Sequence, residues 1–499
     1  MPIGAAIRWQ AERDPDRPAI TESGGVSSPQ SDIRSAAEPS AAQPSADTRR
    51  QVTRLELERR TNRLAHTYAR LGVSEGDFVT VGLPNGIEFY EACIATWKCG
   101  ATPQPVSFRL PQRERDEIIA LAKPALVVTS PIEPDGDAPH EPMLPDRTAP
   151  SYKAPTSGGS TGRPKIIVSG TPGVTDPERQ GGFGSQPDGT QLVPGPLYHN
   201  GPFMFSMSAL FSGNHLIVMP RFDAATALAL IEEFSVDWLL LVPTMMTRML
   251  KVPDRERYDL SSLNGFLHLA APCPPWVKEA WCEWVGAAKV WELYAGTEAQ
   301  GVTIVGGEDW LAHRGTVGKP APGSMHIRDA ETGEELPAGE IGEVWMRPPQ
   351  TPSYRYIGAE ARRDDEGWES LGDLGSMDED GYLYLADRRT DLILAGGANI
   401  YPAEVEAALD EHPAVRSCVV IGLPDEDLGQ RVHAVVEVAK HEDGSDVSDD
   451  ELREFLKERL VTYKIPRSFE RSDGPVRDDA GKVRRTGLRD ERVNTGASP

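Results

Sequence analysis

Cysteine is scarce in this 499-residue chain: Cys93, Cys99, Cys273, Cys282 and Cys418 are odd in number and never form a C-x-x-C pair. That pattern excludes a disulfide framework and a structural zinc site, and it predicts a reducing compartment. Lysine is scarce too, 12 residues against 40 arginines, so a lysine in a glycine-rich loop is less easily dismissed as background. No stretch approaches the roughly 18 apolar residues of a membrane span, and Met1-Pro2-Ile3-Gly4 lacks a basic region followed by an apolar one. A soluble, cytoplasmic protein is the expectation. Positive charge is in deficit, 52 basic against 76 acidic residues, and the net −24 speaks against nucleic acid and membrane as partners. The charged share of 26% is nonetheless ordinary for a globular chain, and the length suffices for a multidomain enzyme.

Residues 23–47 are almost wholly Ser, Ala, Pro, Gln, Gly and charged side chains, which predicts a mobile loop. Thr53-Arg54-Leu55-Glu56 then has the form of a capping box, with Leu57, Leu64, Tyr68 and Leu71 following at helical spacing to an end near Gly72. Strands over 78–83 and 125–129 alternate with helices ending at Gly100 and spanning 112–122. The alternation resumes with Asp223 capping a helix to Phe234 and strands over 237–242 and near 289–293. Beyond Asp387 the pattern shortens: a helix from Pro402 to about Leu409, strands near 415–421 and 432–438, and a helix introduced by Ser448. The fold class expected is α/β, a large layered N-terminal α/β body with a small mobile C-terminal α+β domain.

The most unusual segment is Thr156-Ser157-Gly158-Gly159-Ser160-Thr161-Gly162-Arg163-Pro164-Lys165. Glycines admit close backbone approach, successive amides form an anion nest, hydroxyls donate further, and a cation closes the run, so the loop can wrap phosphate. The plain alternative is a flexible surface loop. Gly158 to Gly162 also satisfies G-x-S-x-G, the nucleophile elbow of a Ser hydrolase using Ser160; but Pro164 and the β-branched run after it favour a strand where that elbow needs a helix.

Three further stretches follow in order: Glu292-Leu293-Tyr294-Ala295-Gly296-Thr297-Glu298 at a strand end, Gly367 to Asp373, and Asp387-Arg388-Arg389-Thr390-Asp391 through Gly396-Gly397 to Glu404, with Gly481-Lys482 near the end. Together they resemble the adenylate-forming superfamily of acyl-CoA synthetases, luciferases and peptide-synthetase adenylation domains, over nearly the whole chain. The resemblance implies a body over 1–387, a hinge over 388–391 with Thr390 at its centre, and a small domain over 392–499.

It also implies roles. Residues Thr156, Ser157, Gly158, Gly159, Ser160, Thr161, Gly162 and Lys165 would hold the β- and γ-phosphates of ATP; Ala271 and Pro272 would line the adenine pocket, with Tyr294 stacking on the base or else packing. Thr297 would contact the α-phosphate and Glu298 a magnesium ion, which prefers one or two carboxylates plus phosphate oxygens. Asp373 would accept both ribose hydroxyls and Arg388 add a cation, unless the two are an interdomain ion pair. Lys482 would bridge carboxylate and phosphate as the catalytic cation, against the alternative of a solvated lysine in a charged tail. Gly396 and Gly397 would admit the pantetheine arm of coenzyme A. His199 would stand by the acyl carboxylate as a gate or pocket wall, unless it is an ordinary hydrogen-bonded histidine, and Asn200, Phe203, Met204, Ala270, Ala295 and Gly296 would line the acid pocket.

Ala295 replaces a usual glycine, Leu371 the threonine of a T-G-D, and Val476 a usual proline. The first two lie beside nucleotide and carboxylate, so a ligase weak in adenylation, served by a separate adenylating enzyme, stays open; so do a carrier-protein ligase and a silent acyl-nucleotide sensor. The runs Pro196 to Phe203, Ala270 to Trp276 and Ser370 to Asp373 are similar to bile-acid, steroid and diterpenoid CoA ligases, as in an actinomycete pathway of the platensimycin type. That similarity implies a bulky apolar acid, coenzyme A and release of AMP.

Overall fold

The computed structural model describes residues 1–24, 49–158, 164–179, 181–321, 323–348, 353–388, 390–440, 445–478 and 481–494. The loop expected over 23–47 falls outside them from residue 25 on.

Six strands in parallel register, in the spatial order Pro18–Glu22, His215–Val218, Thr190–Val193, Trp238–Leu241, Gly265–His268 and Val290–Ala295, make the centre of a thirteen-stranded sheet. Runs such as Trp-Leu-Leu-Leu at 238–241 are continuously apolar because both faces are covered. Helix Asn200–Phe211 lies against this layer, as does the pair Ala224–Glu233 and Pro243–Leu250, whose apolar faces join Leu192, Ile217 and Phe266 in one core.

The sequence alternation does not disclose the rest of this sheet. From Val302 to Arg388 the chain adds six antiparallel strands at the Val290–Ala295 edge. Their signal is short and interrupted by Gly306, Gly315 and Gly318, and Gly318 is forced by a positive φ of 99° and a close approach to the Ile304 carbonyl.

Capping chemistry reads directly into structure. Glu56 N donates to Thr53 Oγ1 (3.2 Å) and Thr53 N to Glu56 Oε2 (2.8 Å), starting helix Arg54–Arg70. Thr226 N donates to Asp223 and Glu451 N to Ser448, starting Ala224–Glu233 and Asp449–Lys457. A parallel three-stranded sheet, Thr102–Pro105, Phe78–Val81 and Leu126–Val128, completes the N-terminal layers. The chain closes in a five-stranded sheet built from Ile393 to Arg471, packed on helix Pro402–Asp410 with its own core of Val405, Leu409, Val420 and Val436.

Candidate active site

The parallel strands deliver the site at their C-terminal ends, where an α/β sheet leaves a crevice. Gly265–His268 runs out into Ala270, Ala271 and Pro272; Val290–Ala295 into Gly296, Thr297 and Glu298; Thr190–Val193 into Pro196 and the start of helix Asn200–Phe211. Ala270 holds a φ of 81° without being glycine, a strained conformation at a strand end, and it is exposed, as is Pro272.

Tyr294 Oη donates to Asp373 Oδ2 (2.7 Å), and Arg388 Nε donates to Asp373 Oδ1 (3.2 Å). The second contact is a consequence of register, because Asp373 and Arg388 are cross-strand partners. Burial and the Asp373 charge push the Tyr294 phenol well above its ordinary value, so it donates at any physiological pH.

Glu298 is 5% exposed and is held on one oxygen: Oε1 accepts from Lys165 Nζ (3.2 Å) and from Tyr356 Oη (2.6 Å). Lys165 Nζ also donates to Tyr356 Oη at 2.9 Å. Burial, then Glu298, drives the Tyr356 phenol far up, keeping the donor proton in place. Lys165 arrives on Pro164–Ser169, the return strand of a hairpin whose first strand is Thr156–Gly158, and Tyr356 on the antiparallel neighbour Tyr354–Ile357. Gly159, Ser160, Thr161 and Gly162, which follow Gly158 in sequence, lie outside the described residues, and Ser157 and Gly158 are described by backbone alone. The hairpin answers the question left by G-x-S-x-G: strand, not helix, follows the loop.

Lys482 comes from the far end of the chain into the same crevice. A tight turn holds it, Lys482 N donating to Asp478 Oδ1 (2.8 Å) and Gly481 N to the Asp478 carbonyl (2.8 Å). Gly481 has φ 73°, and a Cβ there would lie 3.2 Å from Thr244 Oγ1, so glycine is required by backbone conformation and close packing together. The Lys482 side chain keeps solvent contact while protein surrounds it, the situation of a cleft; enclosure lowers its pKa against the opposing pull of Asp478 and Glu298. Asp478 Oδ2 lies 3.4 Å from His199 Nε2, and Arg484 pairs with Glu114 at 2.6 Å. Lys251 Nζ donates to the Val415 carbonyl at 2.7 Å, a third tie between the C-terminal sheet and the rest.

Four of the expected residues stand apart from this cluster. Phe203 is 1% exposed and packs edge-on to Phe89 and Tyr152, so helical phase turns it into the core and away from the crevice. Gly396 and Gly397 form an exposed hairpin tip at φ 58° and 81°, tied to the Leu428 carbonyl. Thr390 is exposed beside Asp391, which Arg485 holds at 2.8 Å. Met204 is partly buried against the core, and Ala295, Gly296 and Thr297 are half-buried at the strand end. A Cβ on Gly296 would strike Leu371, so the leucine that replaces threonine occupies space directly over the glycine.

Sequence reasoning missed Tyr356, whose partners lie 191 and 58 residues away, and Lys153, which donates to Asn200 Oδ1 from inside the protein. For Lys153 a signal existed: a rare lysine between Tyr152 and Ala154 just ahead of the glycine loop.

The chain matches the AMP-binding enzyme family over residues 7–155 and 133–353 and the C-terminal domain of AMP-binding enzymes over 404–482. It is 32% identical over 468 residues to a feruloyl-CoA synthase of an Amycolatopsis species, covering 87% of this chain and 92% of the relative. It is 30% identical over 498 residues to the long-chain-fatty-acid–CoA ligase FadD13 of Mycobacterium tuberculosis, covering 90% and 94%. Among solved structures, the o-succinylbenzoate CoA synthetase of Bacillus subtilis in complex with the acyl-adenylate OSB-AMP gives a TM-score of 0.73 at 25% identity, covering 98% of both chains. The chain therefore belongs to the AMP-binding, adenylate-forming enzyme family. Within it the chain is an acid–thiol ligase of the AMP-forming kind. Among the described residues no helix is long and apolar enough to cross a membrane.

Proposed function

We propose that this enzyme joins a carboxylic acid to coenzyme A in two half-reactions, ATP and acid giving acyl-adenylate and pyrophosphate, then the thiol displacing AMP. The observation that supports this best is the convergence on Glu298: Lys165 bonds it from the body, and its charge reaches Lys482, delivered by the C-terminal segment. Two cations facing one crevice suit a reaction in which a carboxylate attacks a phosphate, because both anions must be drawn together and the charge on the α-phosphate oxygens stabilised.

The donor set fits the nucleotide and its metal. Tyr294 presents a ring at the strand end while its hydroxyl and Arg388 orient Asp373 toward ribose hydroxyls. Lys165, with the loop 156–165, takes the terminal phosphates and Thr297 the α-phosphate. Among the described residues no group of three His, Cys, Asp or Glu is built to hold a metal, and the bonds from Lys165 and Tyr356 both fall on Glu298 Oε1. A carboxylate plus phosphate oxygens and water is the coordination Mg²⁺ favours. When bound, Mg²⁺ supplies charge neutralisation on the phosphates; Glu298 would hold it, and Tyr356 and Lys165 fix that carboxylate in place.

For the second half-reaction we propose a body over 1–387 and a small domain over 392–499 turning about 388–391, so that Lys482 leaves and Gly396–Gly397 enters to admit pantetheine. On the acid, we propose an apolar and ring-bearing body, bordered by Ala270, Ala295, Gly296, Met204 and the apolar layer of Phe205, Trp238 and Leu269, with His199 and Asn200 at its carboxyl end. Acid-dependent exchange of labelled pyrophosphate into ATP, over aliphatic, aryl, steroid and diterpenoid acids, tests the reading. Exchange with one class names the acid; no exchange, together with no thioester from preformed adenylates, overturns the ligase.

A further inference from the structure

Lys153 has no role in the reaction as described, yet it is the most constrained cation of the site. It is 7% exposed, and its backbone is pinned on both sides: Ser169 N donates to its carbonyl (3.0 Å), and Ala154 N to the Pro103 carbonyl (3.0 Å). Its side chain cannot swing out to water without leaving that frame. Among the described residues Nζ has one hydrogen-bond acceptor, the neutral Asn200 Oδ1. An ammonium carries three donors, and burying one against a single amide oxygen is costly unless an anion completes the shell.

The charges facing Lys153 are few. Glu298 is the acidic group whose field reaches it, and that carboxylate is already shared with Lys165 and lies in the field of Lys482. Glu298 thus lies within reach of three lysines but of these bonds only Lys165, so among the described residues no carboxylate hydrogen-bonds Lys153. Two of the three have anionic clients in the ligase reading, the terminal phosphates for Lys165 and the α-phosphate with the attacking carboxylate for Lys482. Lys153 stands on the remaining side, against Asn200 and next to His199, at the first turn of helix Asn200–Phe211, whose uncapped amides add a favourable field for an anion.

We propose that Lys153 is the fixed dock for the carboxylate of the acid substrate, holding it beside Asn200 before Lys482 arrives to promote attack on the α-phosphorus. Because Lys153 belongs to the body, it keeps the acid in place while the small domain is still turning, and it loses its client when the carboxylate becomes a mixed anhydride. It is a positioning residue for adenylation and idle in thioester formation. Burial depresses its pKa to about 7, so the free enzyme sheds this charge on the alkaline side of neutrality and regains it when an anion binds.

This rests on the ligase reading, and one set of assays separates the two. Pyrophosphate exchange is measured for wild type, Lys153→Met and Lys153→Arg with whichever acid of the panel is active, alongside conversion of the matching preformed acyl-adenylate to thioester. The expected result for Lys153→Met is a KM for the acid raised at least about tenfold, with KM for ATP and conversion of the adenylate within about twofold of wild type. In wild type the KM for the acid climbs between about pH 6 and pH 8.5, and Lys153→Arg, which stays charged, flattens that climb while restoring part of the affinity. Lys153→Met raising the KM for ATP as much as that for the acid, leaving both unchanged, or impairing adenylate conversion equally overturns the assignment. If Lys153→Met does not fold, the Arg variant's flattened pH profile decides alone. Wild type that converts adenylates but exchanges with no acid overturns the dock while leaving thioester formation standing; wild type that does neither overturns the ligase reading itself.

Discussion

At the scale of single residues, the site is a set of cations and carboxylates, and the roles proposed for them differ by which part of the chain carries them. Lys482 sits on a turn stabilised by Asp478, whose other carboxylate oxygen lies beside His199; in the proposed reaction removal of Lys482 deprives the adenylation step alone. Lys482→Ala is expected to cut pyrophosphate exchange by about 10²- to 10³-fold, the size of losing one transition-state donor, with conversion of preformed adenylate largely retained. Equal loss in both assays would show a general collapse of the cleft. Away from the site, burial, helped by the Arg17 charge, holds the His215 imidazole down to about 4, while its Nε2 contacts Thr21 Oγ1 at 2.8 Å. The unfolded chain takes up this proton near pH 6.5 and the fold only near 4, so the stabilisation is complete above about 6.5 and fades as pH falls through that window. The loss by pH 4 is on the order of 3 kcal/mol, and His215→Gln should flatten urea midpoints between those pH values.

At the scale of elements, helix starts and the strand that follows the glycine loop were the parts readable from sequence, because their chemistry is local. The box at Thr53 and Glu56 needs only residues three apart, and it forms with both reciprocal bonds. Thr53→Ala is expected to cost about 1 kcal/mol, seen as a lower urea midpoint with an unchanged slope. What sequence could not disclose was non-local. The antiparallel run from Val302 to Arg388 is defined by pairing partners, not by a period of its own, and with it went Tyr356, which reaches Glu298 only because its strand pairs with 164–169. Phe203 was misplaced for a related reason: the motif named the helix, but the phase that sends Phe203 inward and leaves Asn200 at the mouth is set by packing against Phe89 and Trp97.

At the scale of the whole molecule, the C-terminal sheet is fastened to the body by contacts that bring Lys482 in: Lys251 to the Val415 carbonyl, Arg484 to Glu114, and Gly481 on Thr244. These contacts are partly solvated, which suits the proposed turning of the small domain. Lys251→Ala is expected to lower the adenylation rate several-fold and leave adenylate conversion equal or faster, because it weakens one orientation and not the other; slowing of both steps would contradict a two-orientation cycle. The most direct test of the whole scheme is coenzyme A thioester formation followed by mass spectrometry, with ATP, magnesium and a panel of free acids in one arm and the same acids as preformed adenylates in the other. Thioester in both arms is the expected result and makes this chain a complete ligase; thioester from adenylates alone would contradict it, assigning adenylation to a separate enzyme and leaving the Lys482 and Lys153 sites without their reaction.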